Sequence, residues 1–346
     1  MAETNASLPG GAGVMAEDEG RRLEIKKWAG WFATTVVWIV PLIWIDPTTY
    51  FTLTVAGLTM GMLLFLTASG LTLIFGLMDV LNLAHGAFFA WGAYAGYTVM
   101  NAMSRAGWVD VADLSRNLGT ILLVLAAAVA MGAILGFILE RIIIRGVYGD
   151  HLKQILVTMG VSLVAVEIIK IIWGPNNEVM LVPASFYGTF DVHNVMIDKF
   201  RVLIIFIGGA VFAGILLVLK KTKLGIIVRA GVENREIVQA MGYNIHRVFT
   251  GVFTAGAALA AMGGAMFCIF KQAIHPGMGD ETLVFALIIV IIGGLGSVTG
   301  SFIGAIMVGL AFNYVYFLIP KLALGVNILI MAIILLLRPT GLLGRD

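Results

Sequence analysis

KKTKLGIIVRAGVENREIVQAMGYNIHR, residues 220–247, is the one long polar island between hydrophobic runs, and its basic residues decide how the rest of the chain is arranged. It carries Lys220, Lys221, Lys223, Arg229, Arg235 and Arg247 against Glu233 and Glu236. Short loops rich in Lys and Arg stay on the cytoplasmic face of a bilayer, so this elbow sets the direction of the spans on either side. Between Leu224 and Met241 the apolar residues Val228, Val232, Ile237, Ala240 and Met241 fall at roughly helical spacing with charges between them, which predicts a short amphipathic helix. Such a helix either offers one face to a partner or serves only as a charged loop, and spacing does not separate the two.

The flanking sequence is too apolar for a water-soluble domain. Of 346 residues 60% are hydrophobic and 12% charged, and the mean hydropathy is +0.99. An ordinary soluble domain is roughly 45–50% apolar. The fold class that follows is an all-α polytopic membrane protein. The net charge of +2 does not suggest nucleic acid. The single cysteine, Cys268, excludes an intrachain disulfide and a cysteine-based metal cluster.

Residues 1–20 are small, acidic and Gly-rich, with no apolar core. With the basic residues up to Lys27 they read as a disordered cytoplasmic tail, 1–27, ahead of a transmembrane domain over 28–340. The first span is expected at Trp28–Ile45. Further apolar runs lie near 50–76, 80–100, 119–143, 152–173, 200–219, 248–270, 283–298, 301–319 and 322–337, about ten spans by the requirement of 17–25 residues each. With the N-terminus inside, fifteen of the 22 Lys and Arg residues fall on the cytoplasmic side. Both termini and 220–247 are then cytoplasmic, while 101–118 and 174–199 face outside.

Two segments interrupt the apolar pattern. Ser69–Gly96 contains Gly70, Gly76, Asp79, Asn82, His85 and Gly86; Ile291–Gly309 contains Gly293, Gly294, Gly296, Ser297, Thr299, Gly300, Ser301 and Gly304. Glycine and polar residues at membrane depth are tolerated where the backbone is buried in protein or lines a water-filled path. A pair of Gly-interrupted segments is the best sequence pointer to a transport site. The expected substrate pathway therefore runs between them, past Asn82, His85, Gly86, Gly293, Gly294, Gly296 and Ser297.

Asp79, Asn82 and His85 recur every third residue, but one histidine with no cysteine nearby does not make a metal site or a catalytic centre. Asn82 and His85 either brace a neighbouring helix or line the path, and the sequence leaves both open. Glu167 and Lys170 read as an intrahelical pair, and Glu167 is the only acidic candidate for a coupling-ion site. Glycines spaced by four, Gly57/Gly61, Gly92/Gly96, Gly132/Gly136 and Gly296/Gly300/Gly304, predict close helix contacts. At Gly300, alanine is expected to be tolerated and leucine not. No G-x-x-x-x-G-K-[ST] phosphate loop occurs, so the chain is not itself a P-loop ATPase.

GLTLIFGLMDVLNLAHGAFFAWGAY (70–94), RAGVENREIVQAMGYNIHRV (229–248) and IIGGLGSVTGSFIGAIMVG (291–309) together resemble the permease subunits of branched-chain amino acid ABC importers, the LivH-type group. The likeness covers roughly 50–340. It implies a non-enzymatic, all-helical permease like those of the ribose and vitamin B12 importers, in a bacterial inner membrane, with no cofactor of its own. It further implies a second permease subunit, two cytoplasmic ATPase subunits that carry ATP and Mg, and a periplasmic substrate-binding protein. By the same likeness the stretch holding Arg229, Val232, Glu233, Asn234, Ile237, Ala240 and Gly242 couples to the ATPase. The extra N-terminal span and Leu83, where the family often has an aromatic residue, depart from the pattern. Urea, short amides or aromatic acids are alternative substrates within the group. The competing class is a self-contained secondary transporter or channel.

Overall fold

The computed structural model describes residues 45–192, 195–233 and 235–344, and within them the chain is helical almost throughout. The tail 1–27 and the expected span 28–45, all but its last residue, lie outside the described residues. In order, the helices are α1 Pro47–Met78, α2 His85–Arg105, α3 Leu114–Ile142, α4 His151–Trp173, α5 Lys199–Lys221, α6 Lys223–Glu233, α7 Arg235–Ala240, α8 Ile245–Lys271, α9 Met278–Gly293, α10 Val298–Leu318 and α11 Ala323–Leu337.

Among the described residues seven helices are long and apolar enough to cross a bilayer: α1, α3, α4, α5, α8, α10, and α11 with the turn before it. The protein is a multi-pass membrane protein. Two expected spans are displaced. The run at 80–100 is a helix only from His85, and the run at 283–298 is α9, which begins at Met278 and ends at Gly293. With 16 residues, α9 is about 24 Å long, less than the ~30 Å hydrocarbon layer. An apolar run fixes how much chain is in the membrane, but not where a Gly-Gly pair lets the helix stop.

Burial separates the centre from the rim. In α1 and α8 most residues are enclosed by protein, whereas α4, α5 and α11 bury few of theirs. The central helices carry the small residues. Gly57 and Gly61 of α1 press on the backbone of α10 at Leu310 and Ala305, Gly70 meets Gly256 of α8, and Gly92 of α2 and Gly132 of α3 both meet α8 at Ala261. Removing side chains at these crossings lets helices that gain no hydrophobic drive from lipid gain dispersion contact instead. Around them the core fills with Phe65, Phe89, Phe253 and Tyr94.

Helix starts are marked by local sequence. Asp46, Asp113, Asp150, Asp198, Asn244 and Ser297 each accept a hydrogen bond from a backbone N–H of the first turn, capping α1, α3, α4, α5, α8 and α10. The Asp150 carboxylate is also held below the ordinary carboxylate range by its hydrogen bond to Lys153. Helices α2 and α9 have no side-chain cap. At the end remote from the elbow, β1 Glu178–Val179 pairs antiparallel with β4 Ala273–Ile274, and β2 Thr189–Val192 forms a hairpin with β3 Val195–Asp198.

A mid-depth junction of two broken segments

Helix α1 ends at Met78, and Asp79 takes a left-handed conformation at φ 54°. The chain then turns back along α4 without helical hydrogen bonding until His85. A bare backbone in this position needs partners, and α4 supplies them from one face. The Leu81 N–H donates to Gln154 Oε1 at 3.2 Å and the Leu83 N–H to Thr158 Oγ1 at 3.1 Å. Ser162, one turn further, donates to Asp280 Oδ1 in the first turn of α9 at 3.5 Å. Gln154, Thr158 and Ser162 recur every four residues and are all buried. They form a polar ladder that joins the 79–84 break and the start of α9 to α4.

The ladder also sets the depth. Ser162 is the middle residue of α4, so α9 starts about halfway through the bundle. Thr67, eleven residues before the end of α1, accepts at its carbonyl from His85 Nε2 at 2.9 Å, which puts the start of α2 at the same level. There the two helix starts meet. A Cβ on Gly86 would lie 2.6 Å from the Gly279 carbonyl oxygen, and one on Gly279 would collide with that of Gly86.

Polar groups gather at this level. Asn82 and His85 are buried; Asn82 Oδ1 accepts from the Ala84 N–H at 3.1 Å. Asn82 Nδ2, His85 Nδ1 and Thr67 Oγ1 have no protein partner among the described residues. Asp280 is exposed, and Glu281 is 72% exposed with its carboxylate 3.8 Å from His275 Nε2. Val284, one turn along α9 from Asp280, is exposed as well.

The expected pathway residues thus divide. Asn82, His85 and Gly86 lie at the junction. Gly293, Gly294, Gly296 and Ser297 lie at the other end of α9, in a tight turn towards the elbow side. Gly294 and Gly296 have φ of 94° and 82° there, a conformation that glycine adopts without strain. Gly296 packs on Gly76 backbone to backbone, Gly293 packs on Gly300, and Leu342 and Leu343 donate to the carbonyls of Ile292 and Gly293 at 2.8 and 3.0 Å. In the glycine ladder, a Cβ at Gly300 would collide with the Gly293 carbonyl oxygen, and one at Gly304 would sit 3.1 Å from that of Ile289. Alanine at 300 therefore meets rigid backbone, contrary to the expectation that it fits.

The elbow is two short helices, α6 and α7, on either side of position 234, where one amphipathic helix was expected. The side chains of Arg229, Val232, Glu233, Asn234 and Ile237 lie outside the described part. Val228 turns inward and is buried, as is Val238, which packs with Ile245 and Phe249 of α8. Ala240, Met241 and Gly242 are exposed, with Gly242 at φ 86° ending the turn. Among the described side chains of the elbow, the large apolar ones offered outward are Leu224, Ile226, Met241 and Tyr243, while Val228 turns inward.

Asp280, Glu281, Gly279 and the Gln154–Thr158–Ser162 ladder escaped the sequence reading. The span expected at 283–298 leaves Asp280 and Glu281 outside it, whereas they lie in the first turn of α9. The four-residue recurrence on α4 was the available signal for the ladder. Glu167, 2.6 Å from Lys170, sits in the last third of α4 away from the junction. Among the described residues no group of three or more His, Cys, Asp or Glu is placed to hold a metal ion.

Comparison with known proteins agrees with this architecture. A family model described as branched-chain amino acid transport system / permease component matches residues 53–337. BraD of Pseudomonas aeruginosa, a high-affinity branched-chain amino acid transport system permease protein, is 27% identical over 298 residues, 84% of this chain and 94% of its own. LivH of Escherichia coli K12, of the same description, is 25% identical over 297 residues, again 84% and 94%. LivM of Salmonella typhimurium, also such a permease protein, is 25% identical over 274 residues, 72% of this chain and 60% of its own. No solved structure matches. With the family model covering most of the described helices, the chain belongs to the branched-chain amino acid transport system permease family.

Proposed function

We propose that this chain is the membrane-spanning subunit of an ATP-driven importer of branched-chain amino acids, and that substrate passes the exposed side of the mid-depth junction. One observation carries the reading. Asp280 and Glu281 stand at the middle of the bundle on the open surface of the single chain. A carboxylate at bilayer mid-depth is expensive against lipid and is found facing a bundle interior or a water-filled cavity. That surface of α9 therefore faces a second permease subunit across an aqueous path, the relationship suggested by similarity to both LivH and LivM. Asn82 Nδ2, His85 Nδ1 and Thr67 Oγ1 supply donors and acceptors just behind it.

In this reading the chain sits in a bacterial inner membrane with both termini and the elbow in the cytoplasm. A periplasmic binding protein delivers substrate, and two ATPase subunits dock on Leu224, Ile226, Ala240, Met241 and Tyr243. ATP and Mg belong to those subunits. Urea, short amides and aromatic acids are the alternative substrates to compare with leucine.

The acidic pair beside broken helices also meets the requirement of a coupling-ion site, which Glu167 did not. The test separates the two readings. The chain with its co-purifying subunits is reconstituted in vesicles, and labelled leucine uptake is followed with ATP, without ATP, and with a protonophore. ATP-dependent uptake that ignores the protonophore is expected; uptake without ATP that collapses with the ion gradient would establish the secondary transporter.

A further inference from the structure

On the opposite side of α8 from the junction, the elbow end holds a cleft of about 520 Å³ between α3 and α8. Its walls change character along the membrane normal. Towards mid-depth they are Ala133 and Phe137 from α3 and small residues of α8, including Gly251, where a Cβ would meet nothing within 4 Å. At the mouth stand Arg141, Arg145 and Arg247.

The arginines are not equivalent. Arg145 is tied down: its Nε lies 3.2 Å from Glu140 Oε1, and its Nη2 donates to Thr250 Oγ1 at 2.8 Å. Glu140 is fully buried and also accepts from the Tyr148 hydroxyl at 2.8 Å. Glu140 thus cancels the charge of Arg145 and fixes its direction. Arg141, its guanidinium 5.7 Å from the Phe137 ring centre, and Arg247 have no carboxylate partner among the described residues. Both are exposed. Thr254, deeper in the cleft, has a buried hydroxyl with no protein partner among the described residues.

Two guanidiniums with no carboxylate partner among the described residues, standing above an apolar trench, fit one ligand shape, a phosphate with hydrocarbon attached. Guanidinium matches phosphate bidentately, and basic pockets between spans on the cytoplasmic side are where anionic lipid headgroups bind. We propose that this cleft binds an anionic glycerophospholipid, its phosphate between Arg141 and Arg247 and an acyl chain along the trench over Gly251. Free phosphate satisfies the arginines but leaves the trench unfilled, whereas a lipid accounts for both halves. The proposal does not depend on the transport reading.

The test uses the full chain with its accompanying subunits in detergent, titrated with phosphatidylglycerol, phosphatidylcholine or inorganic phosphate, and read by native mass spectrometry and thermal unfolding. Phosphatidylglycerol is expected to bind at least tenfold tighter than phosphatidylcholine, with inorganic phosphate in 100-fold excess failing to displace it. The double variant Arg141→Ala, Arg247→Ala should lose that preference, while Arg141→Lys, Arg247→Lys keeps part of it. Gly251→Leu fills the trench and leaves the charges in place, so it should weaken lipid binding at least fivefold without loss of folding. Equal binding of the two lipids, displacement by phosphate, or full binding by Gly251→Leu would each overturn the proposal.

Discussion

Gly86 and Gly279 touch backbone to backbone where two helices begin midway through the helical bundle, and neither has room for a methyl group. The contact joins residues 193 positions apart and makes the two broken segments one unit. Gly86→Ala or Gly279→Ala must push the helix starts apart, an overpacking cost of about 1–3 kcal/mol. Each is expected to lower the unfolding temperature in detergent and to reduce leucine uptake. Alanine variants that unfold and transport like the parent would show that the junction spreads freely.

Asp280 is the clearest marker of the path. Asp280→Asn keeps an acceptor for Ser162 but removes the charge, and uptake should fall at least tenfold with surface expression unchanged. Asp280→Leu separates the environments. If that surface faced lipid, leucine would stabilise the protein and leave transport intact; facing an aqueous path, it abolishes uptake. Initial rates of labelled leucine entry, normalised to surface protein, decide between them.

Thr158 can be tested without changing volume. Thr158→Val strands the Leu83 N–H, and a buried unmet donor costs about 1–3 kcal/mol. Amide exchange over 79–85 should accelerate, with little change in the outer half of α4. Unchanged exchange there would mean that the 79–84 segment holds its shape without the ladder.

Gly300 distinguishes close packing from simple flexibility. The Gly293 carbonyl lies where the new Cβ would go, so both Gly300→Ala and Gly300→Leu are expected to lose assembled protein, leucine more severely. Size-exclusion chromatography of detergent extracts reads this directly, and an alanine variant that assembles at the parental level would contradict it.

At the elbow, burial sorts two substitutions that spacing treated alike. Val228→Asp places a carboxylate in this chain's own interior and should prevent accumulation. Ala240→Asp stands on the outer surface, so the protein should accumulate while ATPase subunits co-purify poorly and uptake falls. Normal transport by Ala240→Asp would remove Ala240 from the docking surface.

The amino-acid sequence alone determined that this is a helical membrane protein, where most of its spans lie, and that the pairs Gly57/Gly61 and Gly132/Gly136 mark close crossings. These properties follow from composition and local spacing: an apolar run long enough to cross must be a helix, and small residues every four positions must share a face. It also singled out Asn82, His85 and Gly86, because polar residues inside an apolar run are visible without any partner. Only the tertiary structure decided that α9 starts level with the middle of α4, so that Asp280 and Glu281 open a helix within the bundle and do not belong to a loop. The same holds for residues 293–297, whose glycines close a tight turn against Gly76 at the opposite end of α9 from Asp280. Depth, and the side of a helix that stays open, depend on which residues distant in the chain meet. Hydropathy along the chain carries no record of that.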